Sequence, residues 1–252
     1  MDAKSKRIIL NTVLAAIVSV FAADAQAADI KVLSDSPLAP ALAKVTDLYH
    51  QQTHNQVSLV FDPSPAVKKR IENGEAADVV IVQPDFVEAL TKSGKVKAGD
   101  RPIIGHVGVG LGNRKDGPAH DISSPEKMKE TLLGADLIVF NKVKSGEAFA
   151  KAIERLGIAE TLKSKIIRTT PNGIFDPVLK GKGDDIVAGT LPLIATTPGI
   201  KLLGPLPGDL QQELTYTAVL MTNAAEPETA ENFVKFLVSS KGQETFAANG
   251  VH

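Results

Sequence analysis

The chain has 252 residues, of which 43% are hydrophobic and 23% charged; this is enough apolar material for one large core or two smaller ones, and it excludes a disordered chain. A formal charge of −1 excludes a strongly basic nucleic-acid face. The absence of cysteine excludes a disulfide framework, a thiolate metal site and a lipid-modified cysteine.

The first element is an export signal. Lys4, Lys6 and Arg7 precede an apolar run from Ile8 to Ala22, and Ala25-Gln26-Ala27 supplies a small-x-small cleavage pattern. The run is shorter than the roughly 20 residues of a spanning helix, and Asn11 interrupts it. Residues 1–27 are expected to be a cleaved signal peptide, leaving a periplasmic chain with 25 basic residues against 27 acidic ones.

Beyond Ala28, short β-rich runs alternate with helical patterns. KVLS (31–34) precedes Leu38, Leu42, Val45 and Leu48, which share a helix face; VSLVF (57–61) precedes a helix with Val67 and Ile71; DVVIV (78–82) precedes one that starts near Pro84. The alternation predicts a parallel sheet with helical crossovers. RPIIGHVGVGLGNR (101–114) is a long β-like stretch, followed by a Gly/Pro/Asp loop to residue 121. The series then repeats: DLIVF (136–140), a helix with Phe149, Ile153 and Leu156 closed by Gly157, and the strands IIRT (166–169) and DIVAG (185–189). ELTYTAVLMT (213–222) is a candidate return crossing, and Pro227 opens a last helix with Ala230, Phe233, Val234, Leu237 and Val238 on one stripe. Two β/α series predict two lobes: residues 28–106 with 218–252, and residues 107–217.

Three strand-to-helix junctions carry serine. In FDPSPAV (61–67) Pro65 fits the first helical position, which puts Ser64 at the N-cap. Its hydroxyl either caps the helix or joins the free N–H groups in holding an anion. LSDSPLAP (33–40) repeats the pattern with Ser34, Ser36 and Pro37, and NKVKSGEAF (141–149) with Ser145 and Gly146. Crevices outside strand carboxyl ends are where open α/β sheets bind ligands, so three such junctions predict a cleft. Lys68, Lys69 and Arg70 are expected to form a solvated helix face, and Lys142 and Lys144 to extend into water.

Catalytic and metal patterns are weak. His50 and His54 have helical spacing without the glutamate of a zinc-protease motif; G-x-S-x-G and the phosphate loop are absent; GVGLG (108–112) lacks the spacing of a dinucleotide fingerprint. No metal, cofactor or nucleic acid is expected. A periplasmic enzyme with Asp35 or Asp62 as general base is the minor alternative.

VLSDSPLAPAL (32–42), FDPSPAVKKRIENGEAADVVI (61–81), KSGEAFAKAIERLG (144–157), GPLPGDLQQELTYTAVL (204–220) and KGQETFAANG (241–250) resemble the periplasmic molybdate-binding proteins of ABC importers. These are type II solute-binding proteins, and the resemblance spans the mature chain. It implies two α/β lobes, each a mostly parallel sheet flanked by helices, joined by two hinge strands and closing on an oxyanion held by hydroxyls and backbone N–H groups. Ser64 falls on the family's second-loop serine, Ser145 and Asn172 on positions that give backbone N–H groups. The first-loop serine falls on Pro37, leaving Ser36 or Ser34 to serve, and the family's ligand-binding tyrosine falls on Ala188. Asp62 stands where the family has a small neutral residue, so Asp35 and Asp62 are possible ligand-facing carboxylates. The implied role is solute capture by a monomer that docks on a membrane permease. A molybdate-like oxyanion is the first candidate; an organic acid, a metal chelate or a cationic solute is the alternative, for transport or sensing.

Overall fold

A computed structural model describes residues 28–252, so the expected signal peptide lies outside the described residues. The strands are β1 (Asp29–Asp35), β2 (Gln56–Asp62), β3 (Val79–Val82), β4 (Ile103–Arg114), β5 (Leu137–Asn141), β6 (Ile166–Thr169), β7 (Asp185–Thr190), β8 (Ile200–Pro205) and β9 (Glu213–Leu220). The helices are α1 (Ala39–Thr53), α2 (Ser64–Glu72), α3 (Pro84–Lys92), α4 (Pro125–Gly134), α5 (Lys144–Arg155), α6 (Ala159–Leu162), α7 (Asp176–Lys180), α8 (Leu191–Thr196), α9 (Pro227–Leu237) and α10 (Ser240–Ala248).

The strands hydrogen-bond in the order β2-β1-β3-β9-β4-β7-β5-β6, with β8 on β4. Two parallel triplets, β2-β1-β3 and β6-β5-β7, stand at opposite ends of this path. The inner strands β3 and β7 are short apolar runs covered on both faces, with all four residues of β3 and all six of β7 buried, whereas edge strands β2 and β6 are partly exposed. Antiparallel β4 and β9 join the halves. From Ile103 to Gly108, β4 pairs with β9; from Val109 to Asn113 it pairs with β7. The whole of β9 pairs within the first half. Both halves are thus α/β lobes around their own cores, linked through two strands.

β8 follows no apolar alternation in the sequence and is the strand that pattern reading misses. Its partner β4 explains the alternating glycines of GVGLG: a Cβ at Gly110 would meet the Gly204 carbonyl of β8 at 2.6 Å. Those glycines serve sheet packing, where β8 and α8 approach the strand closely.

The closing helix behaves as its stripe predicts, with one exception. Ala230, Phe233 and Leu237 are buried in the first core, while Val238 follows the helix and is 40% exposed. Phe233 meets the α1 residue Tyr49 edge to face, with ring centroids 5.1 Å apart. Burial of a phenylalanine of this kind stabilises by roughly 2–3 kcal/mol, so α9 fastens the end of the chain onto the first lobe.

Candidate functional site

The carboxyl ends of the parallel strands in both lobes open onto one cavity of about 500 Å³. Each strand-to-helix junction contributes: Asp35, Ser36 and Pro37 after β1; Pro63, Ser64 and Pro65 after β2; Gln83, Asp85 and Phe86 after β3; Asn141 to Ser145 after β5; Pro171 and Asn172 after β6; Thr190 and Leu193 after β7. The walls are largely apolar, with Phe86, Ile174, Phe175, Leu193 and Leu214 among them.

Asp35 and Ser64 form the floor on the first lobe. Paired register brings Asp35 beside Asp62 at the ends of β1 and β2, so the turn into α2 carries Ser64 back over Asp35. The Ser64 hydroxyl donates to Asp35 Oδ2, and the Ser64 amide reaches the same oxygen at 3.2 Å. The Gln83 amide donates to Ser64 Oγ at 3.3 Å. Asp35 is only 5% exposed and Ser64 1%. Burial pushes the Asp35 carboxyl up to about 6, against the bonds from Ser64 that pull it down.

Ser64 is therefore the first residue of α2, with Pro63 at the N-cap, and its side chain caps nothing. The sequence position expected for the cap is right to within one residue; the carboxylate across the sheet outcompetes the helix amides because a charge-assisted bond is the stronger one.

On the second lobe Asn141 organises the start of α5. Its Oδ1 accepts from the amides of Val143 at 3.1 Å and Gly146 at 3.0 Å, and its Nδ2 donates to Ser145 Oγ at 2.9 Å. Gly146 allows this, since a Cβ there would collide with the Asn141 carbonyl. At the rim, Lys142 and Glu147 are exposed and Lys144 is half-buried. The Lys144 ammonium pairs with Asp85 of the opposite lobe at 2.6 Å and lies 6.0 Å above the Phe86 ring. Lys142 and Lys144, expected to extend into water, stand at the rim of the cavity and line it.

Two further hydroxyls belong to the lining. Thr190 Oγ1 and Tyr216 Oη are buried without a hydrogen-bond partner in the protein. Burial raises the Tyr216 phenol well above its ordinary value, and the nearby Asp35 charge adds to that. The Gln83 amide side chain approaches the phenol closely enough to oppose that rise, yet falls short of hydrogen-bond geometry.

Among the residues expected from sequence, Asp35, Ser36, Ser64, Ser145 and Asn172 line the cavity. Ser34 and Asp62 do not. Ser34 is fully buried and donates to the Asp35 carbonyl at 3.3 Å, because alternation along β1 turns it away from the crevice. Asp62 is held by Arg70 at 2.6 Å, and Arg70 also bonds Glu75, whose carboxyl is pulled down to about 2. That network lies on the outside of α2 and removes Asp62 from the cleft. Ala188 is buried in the second core and carries no polar group toward the site.

Sequence reading missed Gln83, Asn141, Thr190 and Tyr216. The first and third had a signal, since VQP (82–84) and GTLP (189–192) repeat the strand, polar residue and proline order of the serine junctions. Tyr216 had none; it is one aromatic in an ordinary strand. Among the described residues no cluster of three His, Cys, Asp or Glu side chains could hold a metal, and no helix is long and apolar enough to cross a membrane.

Known proteins resemble this chain in sequence and fold. The family model described as "Bacterial extracellular solute-binding protein" matches residues 30–252. Aconitate isomerase from a Pseudomonas species is 23% identical over 88% of the chain and 87% of its own length. The molybdate-binding protein ModA of Azotobacter vinelandii is 24% identical over 90% of each chain. The solved structure of the Azotobacter vinelandii periplasmic molybdate-binding protein superposes with a TM-score of 0.75 at 19% identity, over 88% of this chain and 98% of that one. The chain belongs to the bacterial extracellular solute-binding proteins, and its fold is that of the periplasmic molybdate-binding protein.

Proposed function

We propose that the chain captures a small organic acid between its lobes in the periplasm and delivers it to an ABC-type permease. The observation that carries this reading is the floor of the cavity. Ser64, the serine that would donate to an oxyanion, already gives its only hydroxyl proton to Asp35. A buried carboxylate at that point repels a bare dianion, and neither Pro37 nor Ala188 can replace the donors that an oxyanion site needs. The size of the cavity supports the same reading, since about 500 Å³ with aromatic and aliphatic walls suits a carbon skeleton. Lys142, and the backbone N–H groups at the start of α5 that Asn141 does not hold, favour the second lobe as the end for the acid's carboxylate.

A thermal-shift screen of residues 28–252 with di- and tricarboxylates, molybdate, tungstate, sulfate and phosphate tests it. Stabilisation by a carboxylate and by none of the four oxyanions is expected; stabilisation by molybdate or tungstate alone would return the site to oxyanion binding.

Asp35 favours a second reading. A buried carboxyl pushed up to about 6 is suited to accept and return a proton near neutral pH, and one relative is named an isomerase of an unsaturated tricarboxylate. In such a reaction Asp35 would take a proton from one carbon of an allylic acid and return it to the far carbon as the double bond shifts. Proton NMR of unsaturated acids in heavy water separates the two, because only turnover moves deuterium onto carbon.

A further inference from the structure

The Tyr216 side chain is fully buried, forms part of the cavity wall, and has no hydrogen-bond partner for its hydroxyl within the protein. Buried hydroxyls are nearly always paired, and those that are not tend to mark a site of function. Of the three side-chain atoms in this condition among the described residues, two, Tyr216 Oη and Thr190 Oγ1, line this cavity.

Their surroundings assign them a role. Val82 of β3 pairs with Thr217 of β9, so the next pair along the ladder sets Tyr216 beside Gln83, the residue whose amide holds Ser64. Tyr216 is close enough to Asp35 to feel its charge and stays a neutral phenol at any ordinary pH. Both bonds from Ser64 fall on Oδ2 of Asp35 and the Ser36 amide also bonds the carboxylate; a carboxylate has about four acceptor sites, so Asp35 retains acceptor capacity. A neutral donor and an ionised acceptor therefore stand together on the floor of the first lobe.

We infer, building on the organic-acid reading above, that Tyr216 and Asp35 together recognise an alcohol on the solute, which is therefore a hydroxylated organic acid. The phenol donates to the hydroxyl oxygen and Asp35 accepts the hydroxyl proton; an ionised carboxylate, which only accepts, does not meet both demands, and a hydrogen phosphate, which could, is tested by the phosphate arm of the screen above. The acid's carboxylate points to the second lobe, where the Thr190 hydroxyl supplies a donor opposite the floor. A site built in this way rejects an analogue that lacks the hydroxyl, because both polar groups are then left without a partner.

Calorimetric titration of residues 28–252 with matched pairs tests the inference: lactate against propionate, malate against succinate, and citrate against tricarballylate. For whichever pair fits the cavity, the hydroxylated member is expected to bind at least about 10-fold tighter, and Tyr216→Phe, which keeps the packed ring, is expected to bring the ratio close to one by weakening that member alone. Equal binding of both members to the native protein, or a preference that survives in a folded Tyr216→Phe variant, would overturn the inference and leave the organic-acid reading standing. Binding of none of the six acids would overturn both.

Discussion

The Ser64 amide lies 3.2 Å from Asp35 Oδ2, and the Ser64 hydroxyl donates to the same oxygen. This contact ties the end of β1 to the start of α2 across 29 residues of sequence and decides what the cavity floor can offer a ligand.

Ser64→Ala removes the stronger of those bonds and leaves a buried carboxylate short of a donor. Stability at pH 7.5 should fall by about 1–3 kcal/mol, read from urea unfolding. Below pH 4.5, where the carboxyl is protonated, the loss should be smaller. A uniform loss at both values would mean that Ser64 acts by packing alone.

Asp35 gives stability a pH dependence of defined sign. Its folded value of about 6 stands above the ordinary 3.8, so the protonated form is favoured by folding. The contribution is complete below about pH 3.8 and is lost as pH rises through about 6. Asp35→Asn lacks that titration. The stability of the native protein relative to the variant should therefore decline between pH 4.5 and 7 by at most about 3 kcal/mol, the free energy of a shift of this size. Parallel curves for the two proteins would contradict the burial argument.

Asp62 is removed from the site by Arg70. Asp62→Ala should leave the affinity for any cleft ligand within about twofold and cost no more than about 1 kcal/mol of stability, since the ion pair it breaks is partly exposed. A larger change in affinity would show that the carboxylate turns into the cleft.

Lys144 and Asp85 bridge the lobes at 2.6 Å, with side chains 41% and 51% exposed. A double-mutant cycle in the ligand-free protein should give a coupling below about 1 kcal/mol that vanishes in molar salt. Such a contact orders the mouth of the cavity without locking it. Persistence of the coupling in high salt would assign it a buried environment instead.

Gly146→Ala drives a methyl group into the Asn141 carbonyl. Unfolding free energy should fall by about 1–3 kcal/mol, with the near-ultraviolet signal of the second lobe altered first. An unchanged protein would mean that the start of α5 can shift freely.

Much of the fold could be read from local pattern. The parallel strands announced themselves as short apolar runs between proline-started helices, and α9 as a stripe that needed a core. The strand β8 escaped because its pairing is set by glycines on its partner, a relationship distant in sequence. At the site, the serine junctions were visible, yet what Ser64 does depended on Asp35 across the sheet. Ser34 and Asp62 lie outside the cavity for a related reason: strand alternation turns one away, and an ion pair with Arg70, eight residues on, holds the other outward. Tyr216 could not be found without the register of β9 on β3.

The most direct test of the account is calorimetric competition in the native protein, residues 28–252, between molybdate and the carboxylate that stabilises it most. The account predicts one-to-one binding of the carboxylate with an unchanged affinity in excess molybdate. Tight one-to-one binding of molybdate that the carboxylate fails to displace would contradict it.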